Sequence, residues 1–436
     1  MTEHLTKELF QFIKNSPSCY HVVHNMKRIF LDQGYEELQE GRPWNLKKGG
    51  RYLVTRNLSS ILAFQIPREP ACGFHIIASH SDSPTFKIKE RGEIACAGKY
   101  TKLNVEKYGG MLMAPWFDRP LSVAGRLLVK KENTIFTKLV HVDKDLLLIP
   151  NLAIHMDREL NEGYKYNPQI DLLPLYGDEH AKDTFMEQIA HAADVQRSDI
   201  LGSDLFLYNR MPGTIWGCHD EYISCGRLDD LQCAFASLKG FLDSQPKSGI
   251  CVHCVFDNEE VGSNTKQGAG STFLKDTLRR ICMNLDKNEE GYHQMLASSF
   301  MLSADNAHAV HPNQIDKSDL TNRPFMNEGI VIKYNANQRY TTDGVSSAVF
   351  RSICEMADVP YQIFANRSDM AGGSTLGNIS NTQVPVNTVD IGLAQLAMHS
   401  PYETAGAKDT EYLLRASKAF YESEIHCVED GSYQIS

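Results

Sequence analysis

An apolar run, Ile250-Cys251-Val252-His253-Cys254-Val255-Phe256, opens directly into Asp257-Asn258-Glu259-Glu260-Val261-Gly262-Ser263. The run reads as a buried strand, and the glycine and serine turn the chain after it. Two adjacent carboxylates are thereby delivered to the C-terminal end of a strand, the edge at which open α/β sheets place ligands. Neighbours on an extended segment point to opposite sides, so one glutamate can face a metal and the other a water. Hydrolysis by a metal-held water needs that division, a ligand to hold the cation and a base to take the proton. Taken alone, the motif is equally well a solvated acidic loop.

Three further segments repeat the pattern. Phe74-His75-Ile76-Ile77-Ala78-Ser79 runs into His80-Ser81-Asp82, and a ligand histidine commonly gives its second ring nitrogen to a carboxylate or carbonyl, a place Asp82 fits. Ser224-Cys225-Gly226-Arg227-Leu228-Asp229-Asp230 opens a helix expected over 231–241, where the simplest reading of the aspartates is a helix cap. Phe300-Met301-Leu302-Ser303-Ala304 ends in Asp305, and His399 closes the series near the C-terminus. His80, Asp229, Glu260, Asp305 and His399 are thus five candidate ligands. A His and carboxylate set without thiolates suits Zn²⁺, Mn²⁺ or Co²⁺ in a catalytic site. One shared carboxylate would give each of two metals three protein ligands.

These segments resemble those of the aspartyl aminopeptidase family of di-zinc exopeptidases. The likeness extends through Trp116-Phe117-Asp118-Arg119-Pro120, Ile149-Pro150-Asn151-Leu152-Ala153-Ile154-His155, Asn167-Pro168-Gln169 and Val331-Ile332-Lys333-Tyr334-Asn335, in order along nearly the whole chain. The resemblance implies that His80, Asp229 and Asp305 hold one metal and that Asp229, Glu260 and His399 hold the other, with Asp229 bridging. It implies that Glu259 is the general base of a bridging-water mechanism and that Asp82 orients His80. It assigns His155 to the active site of a neighbouring subunit and Lys333 to an acidic substrate side chain. By themselves, His155 reads as a core histidine and Lys333 as an exposed edge lysine. Asp230 and Cys225 depart from the common family pattern, in which asparagine and a small residue or proline stand there. The glycine-rich stretch 367–377 keeps the character of the family's substrate loop but leaves the side-chain preference open: acidic residues are favoured and neutral ones stay possible.

The expected architecture is α/β, a mixed central sheet flanked by helices of the zinc exopeptidase type. Helices are predicted over 3–15, 19–33, 181–193 and 272–282, and strands over 51–57, 60–66, 73–79, 126–130 and 134–140. The texture turns β-rich between 92 and 220. This divides the chain into a discontinuous catalytic part, 1–91 with 221–436, and an insertion that the resemblance identifies as a dimerisation domain. It further implies dimers assembled into a dodecamer.

Composition bounds the alternatives. At 436 residues the chain can bury a large core. A net charge of −10 argues against nucleic acid and anionic membrane surfaces. It also means that any acidic preference must come from local groups such as Lys333. No apolar run reaches the length of a membrane span, and Met1-Thr2-Glu3-His4-Leu5 lacks a signal pattern, so a cytoplasmic peptidase acting on peptides is expected. Eleven cysteines without framework spacing read as reduced thiols, and Cys251 and Cys254, inside a strand, as core. A carboxypeptidase or amide deacylase on the same fold, or a non-catalytic scaffold, remain the competing classes.

Overall fold

The computed structural model describes residues 2–436. Nine strands form one mixed sheet, in the order Glu36–Leu38, Arg51–Arg56, Ser60–Gln65, Gly249–Phe256, Gly73–His80, Phe300–Ala304, Asn387–Gly392, Ile330–Tyr334, Tyr361–Ala365. The strands 249–256, 73–80, 300–304 and 387–392 lie side by side and parallel. Every residue of the first three is buried, because helices cover both faces, and that is why they read as unbroken apolar runs. Phe256 pairs with His80, and Ser303 pairs with both Ala78 and Asp390. These strands therefore finish close to level, and the segments that leave their C-terminal ends emerge along one edge.

Helices Thr2–Asn15 and Cys19–Asp32 form where the sequence places them and pack on one face with Leu228–Leu242 and Asp409–Glu422. Phe273–Asn284 and Glu289–Ala297 cover the other. Cys251 belongs to the first core and Cys254 to the second. The two thiols thus lie on opposite faces of their strand, which bars them from sharing a disulfide or a metal. Burial pushes both thiols well up.

A second sheet is antiparallel throughout: Thr134–His141, Leu121–Lys131, Ile200–Asn209, Thr85–Cys96, Tyr100–Tyr108, Leu175–Asp178. It has its own core, with Phe86, Leu103, Val123 and Leu205 packed with Phe185 and Ile189 of helix Phe185–Ala193. That helix starts later than the apolar pattern suggests, because Asp183 adopts a left-handed φ of 63° and separates it from a short turn at Glu179–Ala181. The expected strand 126–130 is the inner part of a longer one whose first half carries buried Ser122. A third sheet, Thr214–Trp216, Tyr222–Cys225, Glu403–Gly406, Ala394–Leu396, Ala307–His308, lies beside the strand ends.

One core residue makes the fold sensitive to acid. His253 is fully buried, stacked on Phe241 at 5.7 Å, and among the described residues neither ring nitrogen has a hydrogen-bond partner. Burial pushes its pKa from 6.5 down to about 3. The unfolded chain therefore binds a proton that the folded chain refuses, and stability is lost as pH falls from 6.5 towards 3. His253→Leu, of similar volume, is expected to stabilise the protein by about 2 kcal/mol more at pH 5 than at pH 8. Melting temperatures of both proteins across that range check this; an equal shift at both pH values would show that His253 does not titrate with folding.

Candidate metal centre

The five candidate ligands converge at the shared edge of the parallel strands. His80 ends its strand, Asp305 directly follows 300–304, and Glu260 lies in the short turn after 249–256. Asp229 sits where regular helix has not yet begun. Arg227 is left-handed, and the φ/ψ pairs of Asp229 (−80, 109) and Asp230 (−115, 18) are non-helical. Asp229 therefore does not cap the helix, the simplest sequence reading, but turns its carboxylate to the histidines. His80 Nε2 lies 3.4 Å from Asp229 Oδ1 and 3.7 Å from Asp305 Oδ1. His399 Nε2 lies 3.4 Å from Asp229 Oδ2 and 3.5 Å from Glu260 Oε2. Asp229 is thus common to two clusters, one carboxylate oxygen towards each histidine.

Carboxylates behind these groups fix their main chains. Asp82 accepts the N–H of Glu259 at 3.1 Å and of Glu260 at 3.2 Å. Its carbonyl lies 3.0 Å from His80 Nδ1, its carboxylate 3.4 Å from the same nitrogen. Asp82 thus meets His80 as the sequence suggests, and it also holds both glutamates. Asp230 accepts the His80 N–H at 3.1 Å. Glu403 accepts the N–H of Asp229 at 3.0 Å and of His399 at 2.7 Å. Tyr108, at the end of a second-sheet strand, donates to Asp82 at 2.7 Å and accepts from Asn258 at 2.8 Å.

So many buried carboxylates side by side disturb one another. Burial, with Asp305, Asp82 and Asp229 alongside, pushes Glu259 up to about 8, against the pull of His80. Burial and Asp229 push Glu260 well above the carboxylate range. Burial would neutralise His80, yet Asp229, Asp305 and Asp82 raise it well above its ordinary value. Asp229 is driven low in spite of its burial, by His399 and His80.

The donor set fits a divalent cation. Separations of 3.4–3.7 Å between histidine nitrogen and carboxylate oxygen are too long for good hydrogen bonds. They match two donors bound to one tetrahedral ion, which stand roughly 3.3–3.6 Å apart. Asp229 Oδ1 and Glu260 Oε1 are buried without a hydrogen-bond partner among the described residues, a costly state for an oxygen unless a cation takes it. Ligand atoms of His80, Asp229, Asp230 and Asp305 lie within 4.8 Å of one another, as do those of Asp229, Glu260 and His399. Side-chain exposure grades from 1% at His80 and 2% at Asp229 to 34% at His399, so the centre opens on the His399 side.

There it meets a pocket of about 660 Å³ lined also by Glu259, His308, Lys333, Tyr340, Phe364 and Thr375. Lys333 is buried, not an exposed edge residue, because its strand has neighbours on both sides. Its Nζ lies 3.5 Å from Asp305 Oδ2 and 5.6 Å from the Tyr340 ring centre. Burial works against its charge, but Asp305 and its neighbours hold its pKa above the usual lysine value. His155 is not among the residues lining this pocket. It is exposed in an irregular stretch beside exposed Leu152, Ile154 and Met156, so the core reading of that histidine fails.

Residues 12–421 match the family described as aminopeptidase I zinc metalloprotease (M18). The chain belongs to the M18 family. A probable M18 family aminopeptidase 2 of Clostridium novyi is 46% identical over 422 residues, covering 95% of this chain and 98% of that one. A namesake in Stutzerimonas stutzeri is 38% identical, covering 97% and 99%. Among solved structures, a chain from the cryo-EM complex of Ape4 and Nbr1 is similar with a TM-score of 0.93 and 36% identity over 96% of this chain and 86% of that chain. The S. cerevisiae mApe1 dodecamer gives 0.83 and 27% over 95% of each. The M18 chain is accordingly a metallo-aminopeptidase, a peptide hydrolase, on a mixed α/β fold. That sets aside the deacylase, carboxypeptidase and scaffold classes. The sequence reading missed Glu403, Tyr108 and the anchoring role of Asp230. Glu403 stands four residues after His399, but nothing in that spacing tells that its carboxylate folds back onto two main-chain amides.

Proposed function

We propose that the chain is a two-metal aminopeptidase that removes N-terminal residues from peptides, with acidic residues favoured. The observation that carries this reading is the double use of Asp229, one oxygen towards His80 and one towards His399, at the floor of a pocket that also contains a buried lysine. His80, Asp229 and Asp305 would hold one ion, and Asp229, Glu260 and His399 the other, zinc in keeping with the family's description, with manganese or cobalt also suited to such donors. Bound there, the ions would supply Lewis acidity to a water and to the scissile carbonyl. Glu259 faces the same pocket, with its main chain fixed by Asp82. It would take a proton from the attacking water and return it to the leaving amine. Lys333 would pair with the side-chain carboxylate of an N-terminal Asp or Glu, a strong charge-assisted contact at a buried lysine.

A second reading, preference for large neutral residues, draws on Tyr340 and Phe364 in the same wall and on the partial neutralisation of Lys333 by Asp305. We further infer that the second sheet, which runs from Thr85 to Asn209 and so begins before the expected boundary at 92, is a dimerisation domain and that dimers build a dodecamer. The solved mApe1 dodecamer and the exposed apolar side chains around His155 support that assembly, in which His155 would enter the site of a neighbouring subunit. We place the enzyme in the cytoplasm. Among the described residues no helix is long and apolar enough to cross a membrane.

Aminoacyl p-nitroanilides of Asp, Glu, Leu and Lys, with N-acetylated Leu as the control, test the activity with and without a chelator. Metal-dependent cleavage of free-amine substrates only is expected, with Asp or Glu first. Lys333→Met is expected to lower the acidic substrates' kcat/KM by about 10²-fold, the worth of one charge-assisted contact, and to spare Leu. A wild-type ranking led by Leu would select the neutral reading. Glu259→Gln is expected to reduce kcat at least 10²-fold with metal content near wild type; loss of metal would mean that Glu259 is a ligand. His155→Phe is expected to lower kcat with the melting temperature unchanged, and wild-type kinetics would confine that residue to packing.

A further inference from the structure

We propose that Glu403 is a positioning residue that sets the separation of Asp229 and His399 by gripping both main chains. The inference rests on the reading that these two side chains hold a metal. Glu403 opens the strand Glu403–Gly406 and is 1% exposed. Its Oε2 accepts the Asp229 N–H and its Oε1 the His399 N–H, at 3.0 and 2.7 Å. No other contact in the described structure ties these two main chains to one group, although they come from elements far apart in sequence. The grip acts where the backbone needs it. His399 has a φ of +66° and Ala397 one of +55°, left-handed conformations that a non-glycine residue keeps only when its surroundings enforce them.

Glu403 does not line the substrate pocket. It borders a separate cleft on the other side of Asp229, with Ser18, Tyr208 and Arg227. It therefore has no access to substrate and acts through the residues it holds. The grip is also one-sided. The His80 N–H goes to Asp230 and the Asp305 N–H to the carbonyl of Ile391, so the main chains of His80 and Asp305 are anchored by groups other than Glu403. A carboxylate suits the role because both its oxygens accept. An amide offers one acceptor and turns its NH₂ against the other N–H.

The test is zinc titration, by calorimetry, into the chelator-stripped full chain of wild type, H399A, E403Q and E403D. Wild type is expected to show two sites, and H399A to lose one. E403Q is expected to keep two, one weakened 10–100-fold, as for other groups that orient ligands, and the second within twofold. Because the defect is one of metal affinity, kcat of E403Q is expected to return to within a few-fold of wild type at saturating zinc. E403D, which keeps two acceptor oxygens on a shorter arm, is expected to weaken the same site by less. Wild-type titration of E403Q, or equal weakening of both sites, overturns the inference. Should E403Q fail to fold, E403D decides: weakening of one site supports the role and a wild-type curve refutes it. Two intact zinc sites in H399A would instead refute the ligand assignment itself, an outcome distinct from failure of the Glu403 role alone.

Discussion

Like charges that crowd in a medium of low dielectric repel strongly, and this fold gathers seven carboxylates at one sheet edge: Asp82, Asp229, Asp230, Glu259, Glu260, Asp305 and Glu403. What makes the arrangement tenable is a division into two tiers. Asp82, Asp230 and Glu403 accept main-chain N–H groups, bonds that favour the ionised form, although burial pushes Asp230 well above the carboxylate range and Glu403 up to about 8. The inner tier, Asp229, Glu259, Glu260 and Asp305, turns towards the pocket and towards His80, His399 and Lys333. Asp82 and Glu403 are thus held by the protein alone, Asp230 keeps one buried oxygen without a partner among the described residues, and the inner tier is suited to cations. The donors of the outer tier are the amides of residues that form or flank the inner one, so the two tiers fix each other.

This coupling explains which parts of the site could be read from the sequence. The strand ends were legible because a parallel strand buried on both faces is an apolar run, and a charged residue closing such a run stands out. His80, Glu259, Glu260 and Asp305 were found that way, and the structure brings them together with Asp229 and His399. The environments of single residues were not legible. Lys333 alternates with apolar neighbours as an edge residue would, and only the pairing of its strand with 361–365 and 387–392 buries it. His155 follows an apolar stretch, yet that stretch leaves the sheet and runs over the surface. The aspartate pair at 229–230 looked like a cap because local sequence does not reveal that the helix starts after it. Glu403 and Tyr108 escaped notice because their partners are distant in the chain or are backbone amides, which carry no sequence signature.

The second sheet is no passive appendage to this centre. It lies in sequence between two strands that pair in register from Gly73–Gly249 to His80–Phe256, so its exit and return points are pinned beside the ligands. Its strand Tyr100–Tyr108 ends on the hydroxyl that holds Asp82, and through Asn258 it holds the turn that carries Glu259 and Glu260. The next residue, Gly109, has a φ of +79°, and a Cβ there would come within 3.1 Å of the Glu260 Cβ. A few residues on, the Leu112 N–H donates to the His399 carbonyl at 3.2 Å. A segment from one sheet therefore touches both ends of the same ligand cluster, Glu260 and His399. Any displacement of that sheet must move Tyr108, and with it the carboxylate that holds both glutamates, so the geometry of the candidate metal centre depends on how the second sheet is seated as well as on the strands from which the candidate ligands emerge.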